Sequence, residues 1–231
     1  VGAERQKEFL GRLGMLAPLP FELAETGRPL SPRRWREINT MTIGYGHGIA
    51  VTPLHLISGF ATLVNGGFAT TPTLLRRDDN AAGEHPGERV IARETSDAMR
   101  VLMRMVVEGG TGKQAEAAGY LVGGKTGTAE KAVAGGYNRD ALITTFVGAF
   151  PMDAPRYAVL VMFDEPHGNK ATHGYAAAGW NAAPVVGRIV AKIAPMLGVM
   201  PLLPSGDEEQ QETTQRLLVR ADGKGRQFAS F

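Results

Sequence analysis

Apolar residues recur every three to four positions in four segments of the chain, which is the spacing of one face of an α-helix. The segments run from Glu4 to Leu13, from Pro53 up to Gly66, from Thr95 to Glu108 and from Ala182 to Leu197. Residues that favour helix ends flank them, with Thr52 and Asn181 as N-caps and glycine pairs after the second and third segments. The pattern therefore predicts four helices.

The third and fourth helices carry the longest apolar stripes, and we expect both stripes to face a core. The stripes consist of Ala98, Val101, Leu102, Met105 and Val106 in the third helix and of Val185, Val186, Ile189, Val190 and Ile193 in the fourth.

Three strand-sized segments lie between these two helices, at Leu121 to Ala129, Ala141 to Phe150 and Arg156 to Phe163. Short turn-forming sequences at 135–138 and 151–153 separate them, which predicts an antiparallel meander. Helices followed by a sheet and a covering helix indicate an α+β fold, an antiparallel sheet flanked by helices. We expect residues 1–204 to be globular and the charge-rich residues 205–231 to be a disordered tail.

Composition narrows the possible functions. The 231 residues are 43% hydrophobic with a net charge of +2, and no Lys/Arg run exceeds two residues, which argues against a nucleic-acid partner. Cysteine is absent, so disulfides and thiolate metal sites are excluded. No apolar stretch reaches the roughly 18 residues of a membrane-spanning helix. Because the chain lacks an initial Met and a visible targeting segment, we expect its natural start to lie upstream.

The stretch from Gly119 to Thr126 fits the spacing of a phosphate-binding P-loop, but its surroundings do not. A P-loop needs an apolar strand before the glycine turn and a helix after it. The residues 113–118 are not an apolar strand, and 126–136 carry no helical stripe. A nucleotide site is therefore disfavoured.

A strand interpretation explains the same residues better. On an exposed edge strand, Gly127 would let a substrate backbone approach closely, because it has no side chain. Lys125 and the hydroxyls of Thr126 and Thr128 would hold a carboxylate. This chemistry suits the recognition of a peptide or a lactam.

In this context the motif resembles that of a known family. The Lys-Thr-Gly-Thr-Ala run at 125–129, followed by two more strands and a helix, resembles the third motif of penicillin-binding proteins, in the serine β-lactamase-like superfamily. The segment Thr42 to Leu56 is similar to the stretch that precedes this motif in class B members. Its Gly-Tyr-Gly at 44–46 is more similar to the cell-division member than to the elongation member.

The resemblance implies a serine-type D,D-transpeptidase that cross-links peptidoglycan stem peptides through an acyl-serine and is inactivated by β-lactams. It implies Lys125 as a catalytic residue that polarises the site. It also implies Thr126, Gly127 and Thr128 as the substrate-binding residues, with the Thr128 N–H as an oxyanion donor. It further implies other division proteins as partners and a place at the periplasmic face of the inner membrane, held by an anchor that this chain lacks. No metal and no cofactor are implied.

One element of the family pattern is missing. The chain contains neither Ser-x-x-Lys nor Ser-x-Asn, so it supplies no nucleophile. Both motifs precede the matched segment in class B proteins, which makes truncation the better explanation. We therefore expect this chain alone to be inactive.

Three alternatives stay open at this point. A serine β-lactamase or carboxypeptidase is disfavoured by the segment at 42–56. A non-catalytic β-lactam-sensing or assembly module would share every motif seen here, and a nucleotide-binding protein would gain thermal stability from ATP or GTP. The histidines show no metal-ligand spacing, and we expect surface or local hydrogen-bonding roles for them; they are His47, His55, His85, His167 and His173.

Overall fold

The computed structural model describes residues 2–76, 87–133 and 136–202. The chain forms two compact units, Val1–Ala92 and Arg93–Phe231. The predicted disordered tail at 205–231 and the predicted surface residue His85 lie outside the described residues.

The first unit contains three helices, α1 (Ala3–Arg12), α2 (Glu37–Gly44) and α3 (Pro53–Val64). The sequence predicted α1 and α3 but missed α2. The α2 sequence has only scattered apolar residues and buries none of them, so it shows no stripe that a periodicity argument detects. The segment at 17–32, predicted as a loop, contains no helix and only one isolated bridge, between Leu30 and Ala50.

The start of α3 shows why the N-cap prediction was correct. Thr52 Oγ1 accepts the backbone N–H of His55 at 3.3 Å, which satisfies one of the free donors of the first turn. The His55 ring lies 2.6 Å from the same hydroxyl through Nδ1 and 2.9 Å from the carbonyl of Ala17 through Nε2. His55 is buried, and both contacts match the local hydrogen-bonding role expected for it.

The second unit contains α4 (Arg93–Glu108), a short 3-10 turn (Lys113–Ala115), β1 (Gly123–Val133), β2 (Gly136–Phe150), β3 (Tyr157–Asp164) and α5 (Ala182–Met196). The strands form an antiparallel sheet in the order β1-β2-β3, which confirms the predicted meander. The predicted turn at 135–138 was wrong at residues 136–138. These residues pair with Val133, Ala132 and Lys131, after a register shift that begins at Glu130.

The core of this unit lies between α5 and one face of the sheet. Val186 and Val190 of α5 and Phe146 and Phe150 of β2 are fully buried in one cluster. The N-cap of α5 is the predicted one, because Asn181 Oδ1 accepts the N–H of Ala182. The rest of the predicted α5 stripe is half-buried.

The predicted inward face of α4 was partly wrong. Leu102 and Met105 are 53% and 50% exposed, whereas Val101, Arg104 and Val107 are buried. The buried face is rotated relative to the predicted one and includes the Arg104 guanidinium, which finds hydrogen-bond acceptors there. Apolar periodicity gives no signal for an inward arginine.

Candidate functional site

The Lys-Thr-Gly-Thr motif lies on β1, which pairs with β2 on one side and is an edge strand of the described sheet. Lys125, Gly127 and Thr128 are exposed, and Thr126 is half-buried. The strand continues to Val133 instead of opening a helix, so the local structure is not that of a P-loop. The motif is available to a molecule that approaches the free edge of the sheet.

Strand alternation places the two threonines on one face of the sheet. Thr126 pairs with Phe146 and Thr128 with Thr144, and Phe146 belongs to the core beneath α5. Lys125 starts from the opposite face, but its ammonium turns back over the edge. Lys125 Nζ lies 2.9 Å from the carbonyl oxygen of Thr126 and 3.4 Å from Thr126 Oγ1.

Each threonine hydroxyl is held by a residue from another segment. Thr126 Oγ1 lies 2.8 Å from Thr111 Oγ1, in the turn after α4. Thr128 Oγ1 accepts the backbone N–H of Ala178, in the loop before α5, at 3.1 Å. A hydroxyl that accepts a hydrogen bond keeps its own proton for another acceptor. Thr128 can therefore still donate to a bound anion.

A concave cavity of about 290 Å³ adjoins these hydroxyls. Its walls come from the turn after α4, from β1 and from the loop before α5, and its lining combines hydroxyl, ammonium and amide groups with one indole ring. The lining residues are Gly110, Thr111, Lys113, Gln114, Thr126, Thr128, Ala177, Gly179 and Trp180. The cavity offers donors to an anionic group and an aromatic surface to an apolar one.

Two glycines of β1 serve different purposes. A Cβ at Gly124 would lie 2.4 Å from the carbonyl oxygen of Val147 and 2.7 Å from the Phe146 ring, so internal packing requires glycine there. A Cβ at Gly127 would meet nothing closer than the Thr145 carbonyl oxygen at 3.9 Å. Packing within the described residues therefore does not require glycine at 127, which leaves an open surface beside the motif.

A buried ion pair holds the beginning of β1. Arg104 Nη1 donates to Glu116 Oε2 at 2.7 Å and to the carbonyl oxygen of Val122 at 2.9 Å. Burial raises the pKa of Glu116 above its ordinary 4.5, and the hydrogen bond and charge of Arg104 oppose that rise. The arginine thus fixes the backbone three residues before Lys125.

A second charged cluster ties the far end of β1 to the end of β3. Lys131 Nζ lies 2.8 Å from Glu165 and 2.9 Å from Asp164. Hydrogen bonds to Glu165 and then to Asp164 raise the pKa of Lys131. Asp164 and Glu165 are 63% and 54% exposed, so water screens the attraction and the cluster contributes little to stability.

The described part of the chain holds no group of three or more His, Asp or Glu side chains arranged to bind a metal ion. Within the same residues, no helix combines the length and apolar character needed to cross a membrane.

The four residues that the sequence predicted for the site lie together on β1, and two of them, Thr126 and Thr128, line the cavity. The sequence did not identify Thr111, Lys113, Gln114 or Trp180, which line the same cavity. Thr111 is 15 residues from Thr126 in the sequence and sits among glycines that mark only the end of a helix. No local pattern distinguishes such a residue from an ordinary turn residue.

Comparison with known proteins gives a consistent result. The sequence model of a family described as the penicillin binding protein transpeptidase domain matches residues 1–191. The chain is 39% identical over 208 residues to a probable peptidoglycan D,D-transpeptidase FtsI of Caulobacter vibrioides, covering 86% of this chain and 35% of that protein.

Solved structures with the same fold include two penicillin-binding proteins. The apo transpeptidase domain of penicillin-binding protein 3 from Burkholderia pseudomallei matches with a TM-score of 0.78 and 30% identity, over 88% of this chain and 60% of that one. Penicillin-binding protein 3 of Mycobacterium tuberculosis, complexed with ampicillin, matches with a TM-score of 0.75 and 26% identity, over 89% of this chain and 48% of that one. The chain thus spans 35% of the length of the curated relative and 60% and 48% of the two solved chains.

Proposed function

Because this chain belongs to the penicillin-binding protein transpeptidase domain family, we propose that it is the substrate-binding part of a serine-type peptidoglycan D,D-transpeptidase. Family membership confirms the resemblance to class B penicillin-binding proteins that the motifs suggested, and the solved neighbours confirm the predicted α+β fold. In this proposal residues 1–204 are the C-terminal portion of the transpeptidase domain.

One observation carries the proposal: the Lys-Thr-Gly-Thr strand is exposed at the free edge of the described sheet, beside a cavity lined by hydroxyl groups. A peptide can add to such an edge through backbone hydrogen bonds. The open surface at Gly127 lets its backbone come close.

We assign the binding of a carboxylate to Thr126 and Thr128, whose hydroxyls face the cavity. The Lys125 ammonium, held beside Thr126, adds positive charge where the substrate or drug anion would lie. The Thr128 N–H is proposed as an oxyanion donor for the acyl-transfer step. The serine that forms the acyl-enzyme would come from another part of the natural gene product, because no Ser-x-x-Lys occurs in these 231 residues.

The substrate class follows from the relatives. The Caulobacter relative is named as a probable peptidoglycan D,D-transpeptidase, which supports peptidoglycan stem peptides as the proposed substrates and β-lactams as the proposed inhibitors. The ampicillin complex of the mycobacterial neighbour supports the same ligand class for this fold. We propose a role in septal cell-wall synthesis at the periplasmic face of the inner membrane, together with other division proteins.

The experiment is intact-mass analysis after incubation with a fluorescent penicillin. The natural gene product that carries this chain is compared with the 231-residue chain itself. We expect the natural gene product to gain the mass of one acyl adduct and the isolated chain to gain none.

An unmodified natural gene product would contradict the enzymatic assignment. Saturable but non-covalent penicillin binding in that case would favour the alternative, a non-catalytic β-lactam-sensing or assembly module. Adduct formation on the isolated chain would contradict the assignment of the nucleophile to another part of the protein.

A further inference from the structure

We propose that Thr111 is a positioning residue of the carboxylate-binding site, acting through Thr126. Its hydroxyl lies 2.8 Å from Thr126 Oγ1, and in this proposal it donates to that oxygen, so that the Thr126 proton is directed toward an anion in the cavity. The inference rests on the proposed function, since it concerns the same ligand carboxylate.

Either threonine oxygen can be the donor at 2.8 Å, and the direction from Thr111 to Thr126 is the one that we propose. Each threonine hydroxyl has one proton and two lone pairs, whereas an ammonium group can only donate. Lys125 Nζ, 3.4 Å from Thr126 Oγ1, therefore donates to it. Thr111, at 2.8 Å, can occupy the second lone pair. Thr126 then has both lone pairs engaged, and its proton is left for an incoming acceptor.

An arriving anion strengthens this arrangement. A hydroxyl that accepts hydrogen bonds becomes a better donor, so bonds from Lys125 and Thr111 reinforce the one from Thr126 to a carboxylate. If the hydrogen bond ran the other way, Thr126 would donate its only hydroxyl proton to Thr111. The anion would then lose a donor from the motif strand.

The backbone around Thr111 is fixed on two sides. The Gly112 N–H donates to the carbonyl oxygen of Val106 at 3.0 Å, which anchors the turn to the end of α4. A Cβ on Gly179 would lie 2.5 Å from the Thr111 carbonyl oxygen, so the loop before α5 packs directly against the turn. The Thr111 hydroxyl is thus presented from a backbone with little room to move, as a positioning role requires.

The test compares Thr111→Val, Thr111→Ala and Thr111→Ser in the natural gene product that carries this chain. Thr71→Val, at an exposed threonine of the other unit, is the matched control. Second-order acylation rate constants are measured with a penicillin that bears a free carboxylate and with its methyl ester. Thermal unfolding is recorded for every variant.

Without the Thr111 hydroxyl, the hydrogen bond from Thr126 to the anion is weaker and less well oriented, so acylation by the free acid should be about five- to tenfold slower in the Val and Ala variants. The ester rate should stay unchanged, because it has no anion to bind, so the acid-to-ester ratio should fall. Thr111→Ser should restore the ratio and Thr71→Val should not alter it. If the Val variant unfolds at a lower temperature than the unsubstituted protein, the acid-to-ester ratio of the smaller Ala variant is used instead.

Equal slowing of acid and ester would reveal a general structural effect and overturn the inference, as would an unchanged rate with the acid. Both results leave the proposed function standing, because the unsubstituted protein is acylated in them. No acylation of the unsubstituted protein overturns the proposed function and this inference together.

Discussion

Arg104 on α4 donates a 2.9 Å hydrogen bond to the carbonyl oxygen of Val122, the residue before the strand that carries the Lys-Thr-Gly-Thr motif. The same Nη1 atom contacts Glu116 at 2.7 Å, and the arginine side chain is 2% exposed. One buried guanidinium therefore joins a helix, a turn and the start of the candidate site.

Replacing Arg104 by Met should destabilise the fold, because it leaves the Val122 carbonyl and the Glu116 carboxylate without their buried partner. We expect a loss of about 2–4 kcal/mol in the free energy of unfolding, measured by urea denaturation. Arg93→Met is the control: Arg93 is 77% exposed and lies 3.9 Å from Asp97. Its loss should change stability by less than about 0.5 kcal/mol. Equal effects of the two substitutions would contradict a structural role specific to Arg104.

The contribution of Glu116 to the free energy of unfolding should decrease as pH rises. Burial raises the pKa of Glu116 above 4.5 in the folded state, so the folded chain binds this proton more tightly than the unfolded chain does. Its contribution is therefore fully present below pH 4.5 and is lost as pH rises through the raised pKa. Glu116→Gln imitates the protonated side chain. The stability of the unsubstituted protein relative to this variant should thus decrease across that window.

The measurement is urea unfolding of both proteins at several values between about pH 4 and pH 7. Other carboxyl groups titrate equally in the two proteins, so their contribution cancels in the difference. A difference that grows in favour of Glu116 with rising pH would mean that attraction to Arg104 outweighs burial.

Alanine substitutions at two glycines of β1 should separate folding from binding. Gly124→Ala places a methyl group against the Val147 carbonyl and the Phe146 ring, and should cost about 1–3 kcal/mol of stability. Gly127→Ala meets no close contact and should leave stability within about 0.5 kcal/mol. In the natural gene product, Gly127→Ala should nevertheless slow acylation by penicillin about tenfold, because the methyl group occupies the surface where a substrate strand would lie. Normal acylation by this variant would argue against strand addition at the edge.

Lys125→Met should abolish most of the proposed activity without unfolding the protein. Lys125 is exposed and its ammonium contacts only Thr126 among the described residues, so we expect little change in thermal unfolding. Removal of a charged group that stabilises the reacting centre should slow penicillin acylation about 10²–10³-fold. Lys192→Met, at an exposed lysine of α5, serves as the control for the loss of one positive charge. Equal acylation rates in the Lys125→Met and Lys192→Met variants would contradict the assignment of Lys125 to the proposed site.

Asn181→Ala should weaken the attachment of α5 to the sheet. The Asn181 side chain accepts from Ala182 N–H and from the fully buried Thr144 hydroxyl, at 2.6 and 2.9 Å, and donates to the Ala176 carbonyl. We expect a loss of about 1–3 kcal/mol, measured by urea unfolding. Asn181→Ala leaves the buried Thr144 hydroxyl without its acceptor, and Thr144→Val removes that hydroxyl. The double variant should therefore lose less stability than the sum of the losses in the two single variants. Additive losses would show that the two side chains do not interact.

The helix and strand predictions succeeded where one local pattern dominates. The stripes and caps at Thr52 and Asn181 located α3 and α5, since periodicity and capping act over a few neighbouring residues. Neither pattern marks α2, which has no apolar stripe and was not predicted. Periodicity also failed for the inward face of α4, where buried Arg104 gains its partners only from segments that fold beside it.

The amino-acid sequence by itself determined the α+β order of elements, the antiparallel meander and the position of the Lys-Thr-Gly-Thr motif on a strand, because each depends on residue type and short-range spacing. Only the tertiary structure decided that Thr111 meets Thr126, that the Thr128 hydroxyl accepts the Ala178 N–H and that a Cβ at Gly127 would meet no described atom closer than 3.9 Å. These relationships join residues from segments distant in sequence. They arise when the packing of α4, β1 and the loop before α5 fixes hydroxyl groups within hydrogen-bonding distance, and residue spacing along a chain carries no measure of that distance.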